Sequence, residues 1–180
     1  MRRRGGVVSV LVVLALAVGA GRTEAQRMHP TVVIVLQKGG EIRLELYPED
    51  APKTVESFVA LAKKGFYDGL TFHRVVPGFV VQGGDPKGDG TGGPGYRLKA
   101  EFNSRKHLRG TLAMARSQDP DSAGSQFYIC LGPQPSLDGK YTVFGRVIDG
   151  LDVLDKIENA PVSGESPTTR IDLLKVRIVG

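Results

Sequence analysis

The sequence predicts a mainly β fold, a closed barrel of eight antiparallel strands with two α-helices. Eight short apolar segments are separated by turns, and the chain carries 24 glycines and 11 prolines, as a fold with many turns requires. Only two segments repeat apolar residues at helical spacing, and strands and helices do not alternate as they would in βαβ units. Closing the sheet into a barrel removes its exposed edges, so a barrel is the expected architecture.

The first two predicted strands form a hairpin. Residues 31–36 are a run of β-branched and aliphatic side chains, and the turn sequence Lys38-Gly39-Gly40 follows them. In residues 41–46, Ile42 and Leu44 alternate with charged side chains, which is the period of a strand with one buried face. The other six predicted strands are residues 71–75, 80–83, 111–114, 126–130, 142–147 and 171–179.

Two segments predict helices. The first can be capped by Asp50, has Pro52 in its first turn and ends at Gly65. The second is shorter and covers about residues 151–157. Apolar side chains recur at helical spacing in both, at Val55, Phe58, Val59 and Ala62 in the first and at Leu151, Leu154 and Ile157 in the second.

The N-terminus has the layout of a secretory signal peptide. Three arginines at 2–4 precede an apolar run at 7–18 and small residues at 19–21. The run is shorter than the ~20 residues that a membrane span needs, although an uncleaved anchor is the alternative. We therefore expect a signal peptide at 1–25, a folded domain at 26–180, a periplasmic or extracellular location, and no stable membrane insertion after cleavage.

Cleavage of the signal peptide changes which partners the net charge of the chain suggests. Removal of residues 1–25 takes away four arginines and one glutamate, which lowers the formal net charge from +5 to +2. A basic chain would suggest a nucleic-acid partner, but the mature domain is too weakly charged to favour one. Cys130 is the only cysteine, so no intrachain disulfide can form, and its apolar surroundings predict a buried, unreactive thiol.

One short run concentrates an arginine, an aromatic ring and a side-chain amide. Arg74, Phe79 and Gln82 lie on two short apolar strands that are joined by Pro77-Gly78. A Pro-Gly pair between β-branched segments predicts a tight turn. The three side chains can therefore converge on one face of the sheet.

Two further runs complete a recognisable pattern. They read GSQFYIC at residues 124–130 and LDGKYTVFG at 137–145. Together with residues 72–85 they resemble the signature of the cyclophilins, the peptidyl-prolyl cis–trans isomerases, and the resemblance runs in order from about residue 31 to 179. It implies the same barrel with two capping helices, and it implies proline-containing polypeptides as substrates, no cofactor and a monomer.

The chemistry of this family needs a hydrogen-bond donor rather than a nucleophile or a metal. The barrier to rotating a peptide bond is ~18–20 kcal/mol. As an X–Pro bond twists, the prolyl nitrogen becomes pyramidal and gains a lone pair, which a fixed donor in a dry pocket stabilises selectively. By resemblance, Arg74 is this donor and Gln82 fixes both Arg74 and the substrate backbone.

The resemblance also assigns the substrate-binding residues. The apolar socket for the proline ring is expected from Phe79, Val80, Tyr128, Leu137 and Tyr141, whereas Gln126 and the backbone of Ala115 and Arg116 hold the residue before the proline. The chain departs from the usual family pattern at the rim, where Ser136 replaces a tryptophan and Tyr141 a histidine. These departures predict weak binding of cyclosporin.

Other functions remain as alternatives to catalysis or are disfavoured by the sequence. A proline-binding chaperone or scaffold with incidental catalysis is the main alternative, although a pure binder could lose Arg74. A small-molecule transport barrel would need a hollow interior, which the two apolar helices would plug. The glycine-rich residues 88–93 lack the Gly-Lys-Ser/Thr of a phosphate loop, and the three histidines lack the spacing of metal ligands.

Overall fold

The structure, a computed structural model, describes residues 29–179. The elements are β1 (Thr31–Leu36), β2 (Glu41–Leu46), α1 (Pro52–Lys63), β3 (Arg74–Val76), β4 (Val80–Gly83), β5 (Thr111–Met114), β6 (Phe127–Cys130), β7 (Val143–Asp149), α2 (Leu151–Glu158), β8 (Val162–Ser163), β9 (Ser166–Pro167) and β10 (Leu173–Val179). Eight of these strands form one antiparallel sheet in the order β10-β1-β2-β7-β5-β6-β4-β3, and β8 pairs with β9 in a separate hairpin.

The mainly β class, the eight-stranded antiparallel sheet and the two helices are confirmed, but the closed barrel is not. The sheet is an open, curled half-barrel whose edges, β3 and β10, share no ladder. An isolated bridge between Thr71 and Asp172 and the bond from the Phe72 N–H to the Ile171 carbonyl (3.0 Å) tie the edges together before the two strands begin. Beyond that point the β8–β9 hairpin, which sequence reasoning missed, lies against β3 in the place of β10.

Helix α1 packs its apolar face against the core side of the half-barrel. Phe58 is buried and its ring lies 5.5 Å from that of Phe127 and 5.3 Å from that of Phe144. The expected cap, Asp50, does not cap this helix, because its carboxylate accepts a hydrogen bond from Arg105 (2.5 Å). The Glu101 carboxylate caps the helix instead, because it accepts hydrogen bonds from two N–H groups of the first turn, at 3.0 and 2.8 Å.

The central strands are buried on both faces. In β6, Phe127 and Ile129 belong to the barrel core, whereas Tyr128 and Cys130 belong to a second, smaller apolar cluster. Successive residues of a strand point to opposite sides of the sheet, so the second cluster lies on the outer face. This outer face carries the candidate site.

Candidate active site

The candidate site is built on one row of paired residues that crosses the sheet. Arg74 on β3 is the register partner of Gln82 on β4, Gln82 pairs with Tyr128 on β6, and Tyr128 pairs with Ala113 on β5. Directly paired residues project from the same face of a sheet. The register therefore places the arginine, the amide and the aromatic ring side by side, on the face opposite the core.

A chain of hydrogen bonds orients the polar side chains of this row. Arg74 Nη1 donates to Gln82 Oε1 at 3.3 Å, and Gln82 Nε2 donates to Gln126 Oε1 at 2.9 Å. Gln126 Nε2 in turn donates to the carbonyls of Gly90 and Gly92, at 3.0 and 2.9 Å. Both amides are thus fixed, with the carbonyl oxygen of Gln82 facing the guanidinium.

The glycine-rich loop beside Gln126 is tied down by Asp85. The Asp85 carboxylate accepts the N–H groups of Lys87 (2.8 Å), Asp89 (3.1 Å) and Gly90 (2.6 Å). Burial acts to raise the pKa of Asp85, but these backbone bonds outweigh it and hold the pKa below its usual value. An open cavity of about 590 Å³ lies between this loop and residues 115–117.

The apolar residues expected to hold a proline ring come together in one cluster. Its buried members are Val80, Ala113, Tyr128, Cys130 and Val143, and the partly buried Phe79, Ala115, Leu137 and Tyr141 pack against them. The guanidinium carbon of Arg74 lies 5.8 Å from the centroid of the Phe79 ring. A charged hydrogen-bond donor therefore lies at the edge of an apolar cluster.

Arg116 takes a different position from the other expected binding residues. Its guanidinium donates to the carbonyls of Lys140 (2.8 and 3.2 Å) and Ser117 (2.8 Å), and it lies 4.5 Å from the centroid of the Tyr141 ring. The side chain is occupied in bracing the rim around Tyr141. Any contact with a peptide would fall to the backbone of this segment, as the sequence predicts.

Sequence reasoning missed two residues at this site. Glu165, in the β8–β9 turn, accepts two hydrogen bonds from Arg74. His107 is buried beside the apolar cluster, with Nε2 3.0 Å from the Tyr128 hydroxyl and Nδ1 3.1 Å from Asp138. Neither segment has apolar periodicity, so no pattern in the sequence pointed to these contacts.

Two kinds of feature are absent from residues 29–179, the part of the chain that the structure describes. Nowhere in this range do three or more His, Cys, Asp or Glu side chains gather as a metal site requires. None of the helices of the same range has the length and apolar character needed to cross a membrane.

Comparisons with known proteins agree with this geometry. The family model "Cyclophilin type peptidyl-prolyl cis-trans isomerase/CLD" matches residues 31–178. Peptidyl-prolyl cis-trans isomerase B of Bacillus subtilis is 53% identical over 137 residues, which cover 75% of this chain and 95% of that protein. A Helicobacter pylori peptidyl-prolyl cis-trans isomerase is 54% identical over 127 residues, or 68% of this chain and 77% of that protein.

A solved structure is similar as well. The cyclophilin-type isomerase of Cryptosporidium parvum, crystallised in the presence of the dipeptide Ala-Pro, superposes with a TM-score of 0.80 at 36% identity. The match covers 83% of this chain and 99% of that one. The chain thus belongs to the cyclophilin-type peptidyl-prolyl cis–trans isomerases and catalyses rotation about X–Pro peptide bonds.

Proposed function

We propose that this isomerase is exported and accelerates the folding of other exported proteins. The observation that carries the proposal is the signal-peptide pattern of residues 1–25, which lie outside the residues that the structure describes. Uncatalysed X–Pro isomerisation takes tens to hundreds of seconds and can limit folding. A catalyst released beyond the membrane would act on chains that arrive there unfolded.

In the proposed mechanism the proline ring enters the apolar cluster and Arg74 meets the twisting amide. The guanidinium is permanently charged and presents its N–H groups as a planar fork. Gln82 holds one terminal nitrogen of this fork, at 3.3 Å. The Ala115 N–H is already donated to the Gln126 carbonyl (3.0 Å), which leaves the Ala115 carbonyl to accept from the residue before the proline. The mature protein would act as a monomer.

Mass spectrometry of the protein from its native host tests export. We expect an N-terminus near Gly21 or Gln26, in material recovered from outside the cytosol. A matched chain in which the apolar run at 7–18 is interrupted by two lysines should remain unprocessed. An intact chain recovered from the cytosol, still beginning at residue 1 or 2, would contradict the proposal.

A further inference from the structure

The β8–β9 hairpin is fastened to the strand that carries Arg74. The Val75 N–H donates to the Glu165 carbonyl at 2.7 Å, although 90 positions separate these residues in the chain. Gly164, which precedes Glu165 in the turn, has a φ of +63°, a left-handed conformation that suits glycine. Because Val75 follows Arg74 directly, this backbone bond brings residue 165 beside the arginine.

The Glu165 carboxylate binds one edge of the Arg74 guanidinium. Arg74 Nε donates to Glu165 Oε2 at 2.5 Å, and Nη2 donates to Oε1 at 3.2 Å. Two parallel bonds of this kind fix the plane of a guanidinium as well as its position. With Gln82 on Nη1, three of the five N–H groups have partners among residues 29–179. One N–H on each terminal nitrogen is left for a substrate.

We propose that Glu165 is a positioning residue for isomerisation, which holds the guanidinium of Arg74 so that its two remaining N–H groups face the prolyl amide. This inference rests on the proposed role of Arg74 as donor. A free arginine side chain samples many rotamers, and this conformational entropy is lost when the donor binds the transition state. A guanidinium fixed in advance avoids that cost, which is the advantage of a preorganised donor.

An opposing effect of the same carboxylate has to be weighed. Its negative charge reduces the positive potential that Arg74 offers to the developing lone pair. However, the Glu165 side chain is 55% exposed, so water and salt screen its charge. The directed hydrogen bonds do not depend on that potential, so we expect orientation to outweigh the loss of potential.

The principal test is Glu165→Ala, which removes the carboxylate and keeps the backbone bond to Val75. We expect kcat to fall about 3- to 10-fold with KM within about 2-fold of wild type, because a transition-state contact is weakened. Glu165→Gln, which keeps one acceptor, should lose less than the alanine variant. A kcat of Glu165→Ala equal to or above wild type would overturn the inference.

A matched control is available on the same molecule. Arg109 and Asp155 form an ion pair with side-chain exposures of 35% and 57%, close to the 32% and 55% of Arg74 and Glu165. Asp155→Ala should leave kcat unchanged. Exposed ion pairs of this kind contribute little to stability, so both alanine variants should unfold at nearly the wild-type temperature.

A double-mutant cycle separates this inference from the role of Arg74. If Glu165 acts through Arg74, adding Glu165→Ala to Arg74→Ala should cause no further loss of kcat. An equal loss in both backgrounds would overturn the inference. If Arg74→Ala is itself as active as wild type, the proposed role of Arg74 as donor is wrong. If Arg74→Ala loses activity but Glu165→Ala does not, Arg74 remains the donor and the positioning role of Glu165 is wrong.

A spectroscopic signature completes the test. The Nε–H of Arg74, identified by its loss in Arg74→Lys, should give a slowly exchanging NMR signal in the wild-type protein. We expect this signal to broaden or vanish in Glu165→Ala and to persist in Asp155→Ala. An unchanged signal in Glu165→Ala would show that the carboxylate does not hold the guanidinium.

Discussion

The hydroxyl of Tyr128 lies 3.0 Å from Nε2 of His107, beside the apolar cluster of the candidate site. The same imidazole has its Nδ1 3.1 Å from Asp138, and Asp138 also accepts the His107 backbone N–H at 2.8 Å. Tyr128 therefore directs its hydroxyl into the protein. Its ring remains part of the apolar cluster, and the hydroxyl has a hydrogen-bond partner.

Tyr128→Phe should reduce stability while sparing catalysis. The substitution leaves Nε2 of the buried His107 without its partner, which costs about 1–3 kcal/mol. The aromatic ring, which is the part expected to contact the proline, is unchanged, so kcat/KM should stay within about 2-fold of wild type. Urea unfolding and a protease-coupled proline assay measure the two quantities. Tyr141→Phe, at the rim of the same cluster, is the control, and an equal loss of stability there would contradict this account.

Stability should fall on acidification from pH 7 to pH 5. Burial lowers the pKa of His107, although Asp138 partly opposes this. The unfolded chain, with a histidine pKa of about 6.5, therefore takes up the proton first, and the stabilisation present above that pH is lost below it. Asp138, whose pKa is held at about 2 chiefly by the backbone N–H of His107, stays ionised throughout.

His107→Gln provides the check on this pH dependence. The amide can still bond to a neighbour but cannot titrate, so the slope of unfolding free energy against pH should become shallower. It should not vanish, because burial also lowers the pKa of His73. A slope identical to wild type would show that His107 does not contribute.

Arg74→Ala should lower kcat/KM at least ~10-fold, which corresponds to about 1.4 kcal/mol of transition-state stabilisation. The reason is the loss of the proposed donor at the edge of the apolar cluster. The fold should survive, because Arg74 is partly exposed and lies on an edge strand. Arg109→Ala serves as the control. Wild-type turnover by a folded Arg74→Ala protein would refute the assigned mechanism.

Ser136 should make inhibition by cyclosporin about 10- to 100-fold weaker than in relatives with tryptophan there, since a buried large side chain contributes roughly 1.5–3 kcal/mol. The serine lies exposed in the short turn Pro135–Leu137, where its carbonyl accepts from Lys140 Nζ at 3.1 Å. Ser136→Trp should restore part of the sensitivity in an inhibition assay. Nanomolar inhibition of the unmodified protein would count against control by this position.

Cys130 should resist thiol reagents in the folded protein. It is fully buried, and burial raises the pKa of its thiol to about 12. At pH 8 the native protein should react with an aromatic disulfide reagent at least ~100-fold more slowly than the chain in urea, since the thiolate is the reactive form. The only cysteine of the chain gives an unambiguous signal. Rapid reaction without denaturant would contradict this.

The features that are local in sequence were predictable. Arg74 and Gln82 lie within nine residues, and the turn at Pro77-Gly78 together with strand alternation was sufficient to pair them on one face. Phe79 precedes β4, so the turn and not strand alternation brings its ring near Arg74. The hairpin of β1 and β2 followed from its alternating apolar residues in the same way. Periodicity carries such information because each strand presents its own buried face.

The features that depend on distant contacts were not predictable. Glu165 reaches Arg74 across 91 positions, from a hairpin whose strands have only two residues each and therefore no measurable period. The opening between β3 and β10 could not be predicted for the same reason. Apolar patterning does not reveal that the β8–β9 hairpin occupies the edge of β3 beyond the bridge at Thr71. The helix cap by Glu101 likewise joins segments that are 47 positions apart.

The bond between Val75 and Glu165 also bears on how a polypeptide client can be held. An edge strand with unused N–H groups is a template onto which an extended chain adds as a further strand. A catalyst of folding meets such chains continually, and β3 would offer them that template next to Arg74. Since the central N–H of β3 is already donated to the hairpin, strand addition is blocked there. Client chains would be bound through the proline and its neighbouring residues, and they could dissociate once the X–Pro bond has isomerised.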